Sequence, residues 1–267
     1  MKKKDKIWVK LLVSTCSILI TGIVLFAIWN VSLLKEIKKS EIERKQLKND
    51  VEKVEILAKV NSNFIKDVLR QKAITLCFLE LIEKYEEEYS RKEKEDCIQL
   101  IVMADEKYGH KGLDAPLLLA WLEKESAGNP KAVSYAGAKG LTQWMDYRAW
   151  KILKAIGYPG YDTKLIFNPV VSLAGGLYHL EGLMNFWEWK GTRNQSLILF
   201  YAIHSYKWGS ENTEELFNTE RRANRPAIEY VNWILNRREY WAEKLKYWID
   251  DAQKLTEGVL EEGSHDQ

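Results

Sequence analysis

A chain of 267 residues is long enough for one or two domains, and with 46% hydrophobic and 29% charged residues it has the composition of a globular protein, not a disordered one. A formal net charge of +2 excludes the strongly basic surface of a nucleic-acid binder. Three cysteines without a C-x-x-C spacing, and four scattered histidines (His110, His179, His204, His265) without an H-E-x-x-H pattern, give no metal-ligand set; neither metal nor cofactor is expected.

The chain opens with Lys2, Lys3, Lys4, Lys6 and Lys10, followed by an uncharged run from Leu11 to Leu34. As a helix that run reaches roughly 36 Å, enough to cross a hydrocarbon core of about 30 Å. Trp8 and Trp29 stand near its two ends, as interfacial aromatics do. A cleaved secretory signal has a shorter apolar region, about 7–15 residues, and a small-residue cleavage site. This run ends Phe26-Ala27-Ile28-Trp29 without one. Residues 1–34 are therefore expected to be cytoplasmic lysines and an uncleaved, single-pass anchor in the bacterial cytoplasmic membrane. Lys35, Lys38, Lys39, Arg44 and Lys45 nearly balance the leading lysines. Orientation, with the N-terminus cytoplasmic and the remainder extracytoplasmic, thus rests on the chemistry of the distal domain.

Residues 35–95 read as a helical stalk and linker. Leu33 to Val68 lacks proline and glycine and is rich in Lys, Glu and Leu. Heptad a-positions at Ile37, Arg44, Val51, Ala58 and Ile65 put d-positions at Ser40, Leu47, Val54, Asn61 and Val68; seven of these ten are apolar. That pattern permits a coiled coil, and with it a homodimer or an envelope-complex partner; a lone amphipathic helix packed on the distal domain is the alternative. A second helix is expected over Ile74–Tyr89, and the charged run Glu86–Asp96 reads as a solvated helix end or linker. Outside the cytoplasm, a Cys77–Cys97 disulfide is open to the chain.

The distal domain is expected over 96–252, followed by a polar tail, 253–267. Nine of the 11 tryptophans lie between Trp121 and Trp248, as core filling or as flat faces for sugar rings. Asp114-Ala115-Pro116 has the chemistry of a helix start, with Asp as N-cap and Pro in the first turn. In the helix that follows, LLLAWLEKES, residues Leu118, Trp121, Leu122 and Glu125 share one face while Glu123 and Lys124 point elsewhere. A carboxylate on an apolar face beside a tryptophan is expected to hold its proton more tightly than usual, as a general acid at a glycosidic bond must. Fraying of Glu125 into solvent at the helix end is the alternative on periodicity alone.

Residues 125–145 read ESAGNPKAVSYAGAKGLTQWM: Gly128-Asn129-Pro130 supplies turn chemistry, and Gly137 and Gly140 bracket a segment where backbone can approach a ligand. This stretch resembles the signature of the lytic transglycosylase SLT family: E-S, a turn with N-P, then A-x-S-x-x-G-A-x-G-L-x-Q. The matching residues are Glu125, Ser126, Asn129, Pro130, Ala132, Ser134, Gly137, Ala138, Gly140, Leu141 and Gln143. Asn168–Leu183 (NPVVSLAGGLYHLEGL) is similar to the family's next helix, with Ala174-Gly175-Gly176 allowing close packing. The family's A-Y-N-x-G element finds its counterpart in Ser205-Tyr206-Lys207-Trp208-Gly209, with Lys for Asn, while Tyr201 offers a second register. Tyr230-Val231 matches the tyrosine-valine pair of the last helix, although Pro226-Ala227-Ile228 replaces the charged residues that usually precede it.

The resemblance implies an all-α, goose-type lysozyme-like domain behind the anchor and stalk. It implies a peptidoglycan lytic transglycosylase, cleaving the β-1,4 bond between N-acetylmuramic acid and N-acetylglucosamine with a 1,6-anhydro-muramoyl product. Glu125 is its catalytic acid and then base; Ser126, Ser134, Gly137, Gly140, Gln143, Tyr206 and Tyr230 are its substrate-binding candidates; peptidoglycan glycan strands are its partner. A lysozyme-type muramidase, or a catalytically inactive envelope or secretion scaffold, are the competing readings.

Overall fold

A computed structural model describes residues 64–158, 160, 162–219 and 225–265. The expected anchor, 1–34, and the stalk as far as residue 63 lie outside them. Among the described residues no helix is long and apolar enough to cross a membrane.

Residues 69–251 form one compact unit. Its secondary structure among the described residues is helical, with two isolated antiparallel bridges and no strand. Residues 64–82 are helical (α1), followed by a 3-10 segment Glu83–Glu88. The break expected before Ile74 is absent, because no glycine or proline interrupts this stretch. Ala73, Ile74, Cys77 and Phe78 of α1 lie in the main core, so residues 69–95, expected in the stalk, pack within the compact unit.

The charged run before Asp96 is no linker. Ser90 starts α2 (Arg91–Tyr108) with a reciprocal cap: its hydroxyl accepts from Glu93 N at 3.2 Å, and Glu93 Oε2 accepts from Ser90 N at 2.8 Å. Cys77 and Cys97 are both buried and free, which corrects the disulfide option. Each thiol is enclosed in apolar core, and burial pushes that of Cys77 up to about 12, the range of an inert structural cysteine.

Helix α3 (Ala115–Ser126) starts where expected, with Asp114 Oδ1 accepting from Leu117 N at 3.0 Å. Every residue from Ala115 to Leu122 is buried. Each large apolar side chain withdrawn from water this way stabilises by about 1.5–3 kcal/mol, and α3 is thereby fixed along the core axis. A loop leads to α4 (Asp146–Ala155) and the short α5 (Thr163–Ile166). Then come α6 (Pro169–Trp189) and α7 (Gln195–Trp208), capped by Asn168 and Asn194, whose side chains accept from Val171 N and Leu197 N. The glycines of α6 do allow close approach: a Cβ on Gly176 would lie 2.7 Å from the Trp121 ring, and one on Gly175 2.1 Å from Trp144.

After α8 (Ser210–Thr219) comes the long α9 (Arg225–His265). The polar tail expected from residue 253 continues this helix. Arg237 clasps Glu123 through two bonds of 2.7 and 2.8 Å, Arg238 pairs with Asp114, and Lys244 pairs with Glu80. These three pairs lock α9 onto α3 and α1.

Candidate active site

Glu125 occupies the last turn of α3, whose end is set by Ala127 in the left-handed conformation, φ 52°. Its side chain is only 2% exposed, so the apolar-face reading holds and fraying into solvent does not. Two later helices converge on the carboxyl. From α9, the Tyr230 hydroxyl donates to Oε1. From α7, Lys207 Nζ lies 3.9 Å from Oε2, an ion-pair separation too long for a hydrogen bond.

Burial pushes the Glu125 carboxyl above its ordinary value, because the charged form loses its hydration. Lys207, the Tyr230 hydroxyl and Lys124 each act against that rise, and none of them is a carboxylate. The Tyr230 phenol is raised well above its usual value, first by burial and then by Glu125. It is therefore a donor to the carboxyl and not a base. What results is a carboxyl that holds a proton more readily than a surface glutamate, yet has a donor and a cation in place when that proton leaves.

The side chains around this group rank as its scaffold. Trp208 packs edge-on against Tyr230 at 5.5 Å. Tyr206 packs edge-on against Trp121 at 5.1 Å and donates to Thr142 O at 2.7 Å. Thr142 is itself held by Ser172, its hydroxyl donating to Ser172 O at 2.8 Å. Tyr206 thus ties α7 to the loop and does not bond the carboxyl directly. Behind it, His179 of α6 has its centroid 5.4 Å from the Tyr206 ring, and burial together with Arg148 lowers it to about 4, so it is neutral.

The loop 127–145 is held by its own polar groups. Ser134 Oγ accepts from Ala138 N at 3.0 Å, and Val133 and Trp144 each bridge to Lys139. Gln143, at φ 56°, donates to Gly140 O at 2.9 Å and Ala132 O at 3.3 Å. Ser126 Oγ donates back to Leu122 O at 3.3 Å. Both Ser126 and Gln143 are thus engaged with backbone carbonyls of the helix end and loop. The two glycines differ. At Gly140, φ 78°, a Cβ would lie 2.2 Å from Ile166 O, whereas at Gly137, φ 83°, it would meet nothing within 4 Å. Gly140 is required for loop packing, and Gly137 leaves open space beside the loop.

Of the residues singled out in the sequence, Glu125 and Tyr230 are brought into contact, Tyr206 stands one layer behind, and Ser126, Ser134, Gly140 and Gln143 build the wall. Lys207 was visible only as a departure from the A-Y-N-x-G pattern, and Trp208 carried no signal beyond being a tryptophan.

Comparison with known proteins agrees with the motif. Residues 102–228 match the family model of the transglycosylase SLT domain. The chain is 29% identical over 166 residues to the membrane-bound lytic murein transglycosylase C of Salmonella typhi, covering 59% of this chain and 45% of that protein. It is 30% identical over 142 residues to the protein of the same name from Mannheimia succiniciproducens, covering 52% and 37%. The chain thus spans less than half the length of these relatives. A solved structure of lytic transglycosylase Slt from Pseudomonas aeruginosa aligns at 23% identity over 56% of this chain and 23% of that one, with a TM-score of 0.35. Through residues 102–228, this chain is thus similar to the transglycosylase SLT domain family.

Proposed function

We propose that the protein is a peptidoglycan lytic transglycosylase with a goose-type lysozyme-like domain, and that Glu125 carries both proton transfers. The observation that supports this reading most directly is the buried Glu125 carboxyl between the Tyr230 hydroxyl and Lys207. In the first step Glu125 gives its proton to the glycosidic oxygen between N-acetylmuramic acid and N-acetylglucosamine as the C1–O bond breaks. In the second, the muramoyl O6 bonds to C1 and its proton passes to Glu125. Atoms balance without water, the product is the 1,6-anhydro sugar, and the enzyme returns to its starting state. One carboxylate serves where glycosidases ordinarily use two. The Tyr230 donor and the Lys207 charge stabilise the carboxylate between the two steps.

The run Leu11–Leu34 is proposed as a membrane anchor with the domain outside the cytoplasm, where peptidoglycan is; the relatives above are themselves named membrane-bound. The preceding stalk is proposed as the contact for a second copy or an envelope partner. The decisive experiment is mass spectrometry of muropeptides released by the wild type and by Glu125→Gln. Anhydro products from the wild type, and none from the variant, are expected. Products heavier by one water would mean a hydrolase, and undiminished release by Glu125→Gln would remove Glu125 from the chemistry. A reporter fused after Gln267 tests the orientation.

A further inference from the structure

The proposed reaction needs a carboxyl that gives up a proton and takes it back, and burial alone makes the first transfer costly in one direction. Lys207 is the cation best placed to offset that. It stands in the last turn of α7 and its side chain is 44% exposed. Its ammonium lies 5.4 Å from the Tyr230 ring centroid, on the same tyrosine that Trp208 packs against. The carboxyl is therefore gripped at both ends, by a hydroxyl at Oε1 and by a charge at Oε2. At 3.9 Å, Lys207 acts through its field and leaves the lone pairs of Oε2 free for a proton or a sugar hydroxyl.

The other titratable groups around Glu125 do not duplicate this charge. Tyr206 of α7 and Tyr230 of α9 are neutral phenols raised by burial. Lys124, on the same helix as Glu125, lies 4.6 Å over the Trp233 ring and acts on the carboxyl more weakly than Lys207. Glu123 is engaged by Arg237 and Trp241. Arg148 of α4 and His179 of α6 act on Tyr206 and on each other, one layer away.

We propose that Lys207 is a positioning residue that acts through Glu125, and that its charge sets the pH above which the enzyme loses its general acid. This rests on the reading of Glu125 as the proton carrier. Where the resembled pattern has an asparagine, a neutral amide, this chain has a lysine, whose charge makes its activity more acid-sided than a neutral residue would. The sign is fixed by electrostatics: a cation favours the ionised carboxyl, so the protonated form is lost at a lower pH when Lys207 is present.

The test is the pH profile of initial rate at low substrate, with the full chain in detergent and purified peptidoglycan as substrate. In Lys207→Met the alkaline limb is expected to move up by at least about one pH unit, since a charge about 4 Å away acts more strongly on a buried carboxyl than it would through water. In Lys207→Arg it is expected to stay where the wild type has it. A limb unmoved in Lys207→Met, or moved equally in both variants, overturns the proposal; a purely structural role would lower the rate at every pH and leave the limb in place. Thermal melts of both variants establish that each is folded. If the wild type releases no muropeptides, or if Glu125→Gln is as active as wild type, the functional reading fails and takes this proposal with it. An active wild type, an inactive Glu125→Gln and an unmoved limb overturn the Lys207 proposal alone.

Discussion

The hydroxyl of Tyr230 donates to Oε1 of Glu125 across 105 positions of sequence, joining the end of α3 to the start of α9. Neither residue has that partner by local geometry. The contact exists because the ion pairs of Glu123 with Arg237 and of Asp114 with Arg238 fix α9 against α3 along its length.

Removing that donor tests its part in the chemistry. A hydrogen bond to a charged group is worth about 1.5–3 kcal/mol, so Tyr230→Phe is expected to slow release of anhydro-muropeptides by roughly 10–100-fold. The Tyr230 ring packing against Trp208 is kept in this variant, and its melting temperature should stay near wild type. An unchanged rate would demote Tyr230 to a packing residue.

Glu125 should cost the fold stability. Its pKa is raised in the folded state by burial, so between the unfolded and folded values the native state binds more proton. Stability therefore falls as pH rises from the ordinary carboxyl range through the raised native value. Glu125→Gln, uncharged at all pH, is expected to be more stable by about 0.5–2 kcal/mol at pH 7.5. The advantage should shrink toward pH 4, where the wild-type carboxyl is protonated. Denaturant titrations at the two pH values measure it; a constant difference would mean that the gain is not electrostatic.

The two loop glycines make opposite predictions. Gly140→Ala forces a Cβ to within 2.2 Å of Ile166 O at φ 78°, and roughly 2–4 kcal/mol of destabilisation is expected. Gly137→Ala has open space and faces only the left-handed backbone, which costs about 1 kcal/mol. Comparable losses in thermal stability for the two would contradict the loop geometry.

Asp105 gives an asymmetric pair. Its carboxylate takes Ala115 N at 2.8 Å, capping the start of α3, and receives two bonds from Arg70. Asp105 is 8% exposed, whereas the Arg70 side chain is 44% exposed. Asp105→Ala, which strands a buried amide, should cost about 2–3 kcal/mol, and Arg70→Ala less than about 1 kcal/mol. Equal costs in chemical denaturation would show that the ion pair, and not the cap, holds the helix start.

Much of the site was legible because it is local. The start of α3 follows from Asp114 and Pro116, the phase of Glu125 from the 3.6-residue period, and the loop from a signature confined to residues 125–143. The boundary at Asp96 was misleading because a dense charge run looks solvated, while Ser90 and Glu93 in fact cap a helix and Cys97 begins its buried face. The backbone partners of Ser126 and Gln143 were not legible either, because a polar side chain in a signature does not say which carbonyl it bonds until the loop is folded.

Sequence by itself determined that Glu125 faces inward at the end of an apolar helix, since helical phase is a property of neighbours in the chain. It also carried, through the signature in that helix and loop, the resemblance to the transglycosylase SLT family. Only the tertiary structure decided what meets the carboxyl. Tyr230 and Lys207 reach it from helices far along the chain, and the Asn-to-Lys departure at 207 becomes a charge 3.9 Å from the proposed acid only once α7 and α9 are packed against α3. The reason is physical: periodicity fixes the direction of a side chain, but the proton affinity of a buried group is set by whatever charges and donors the packed core brings to it.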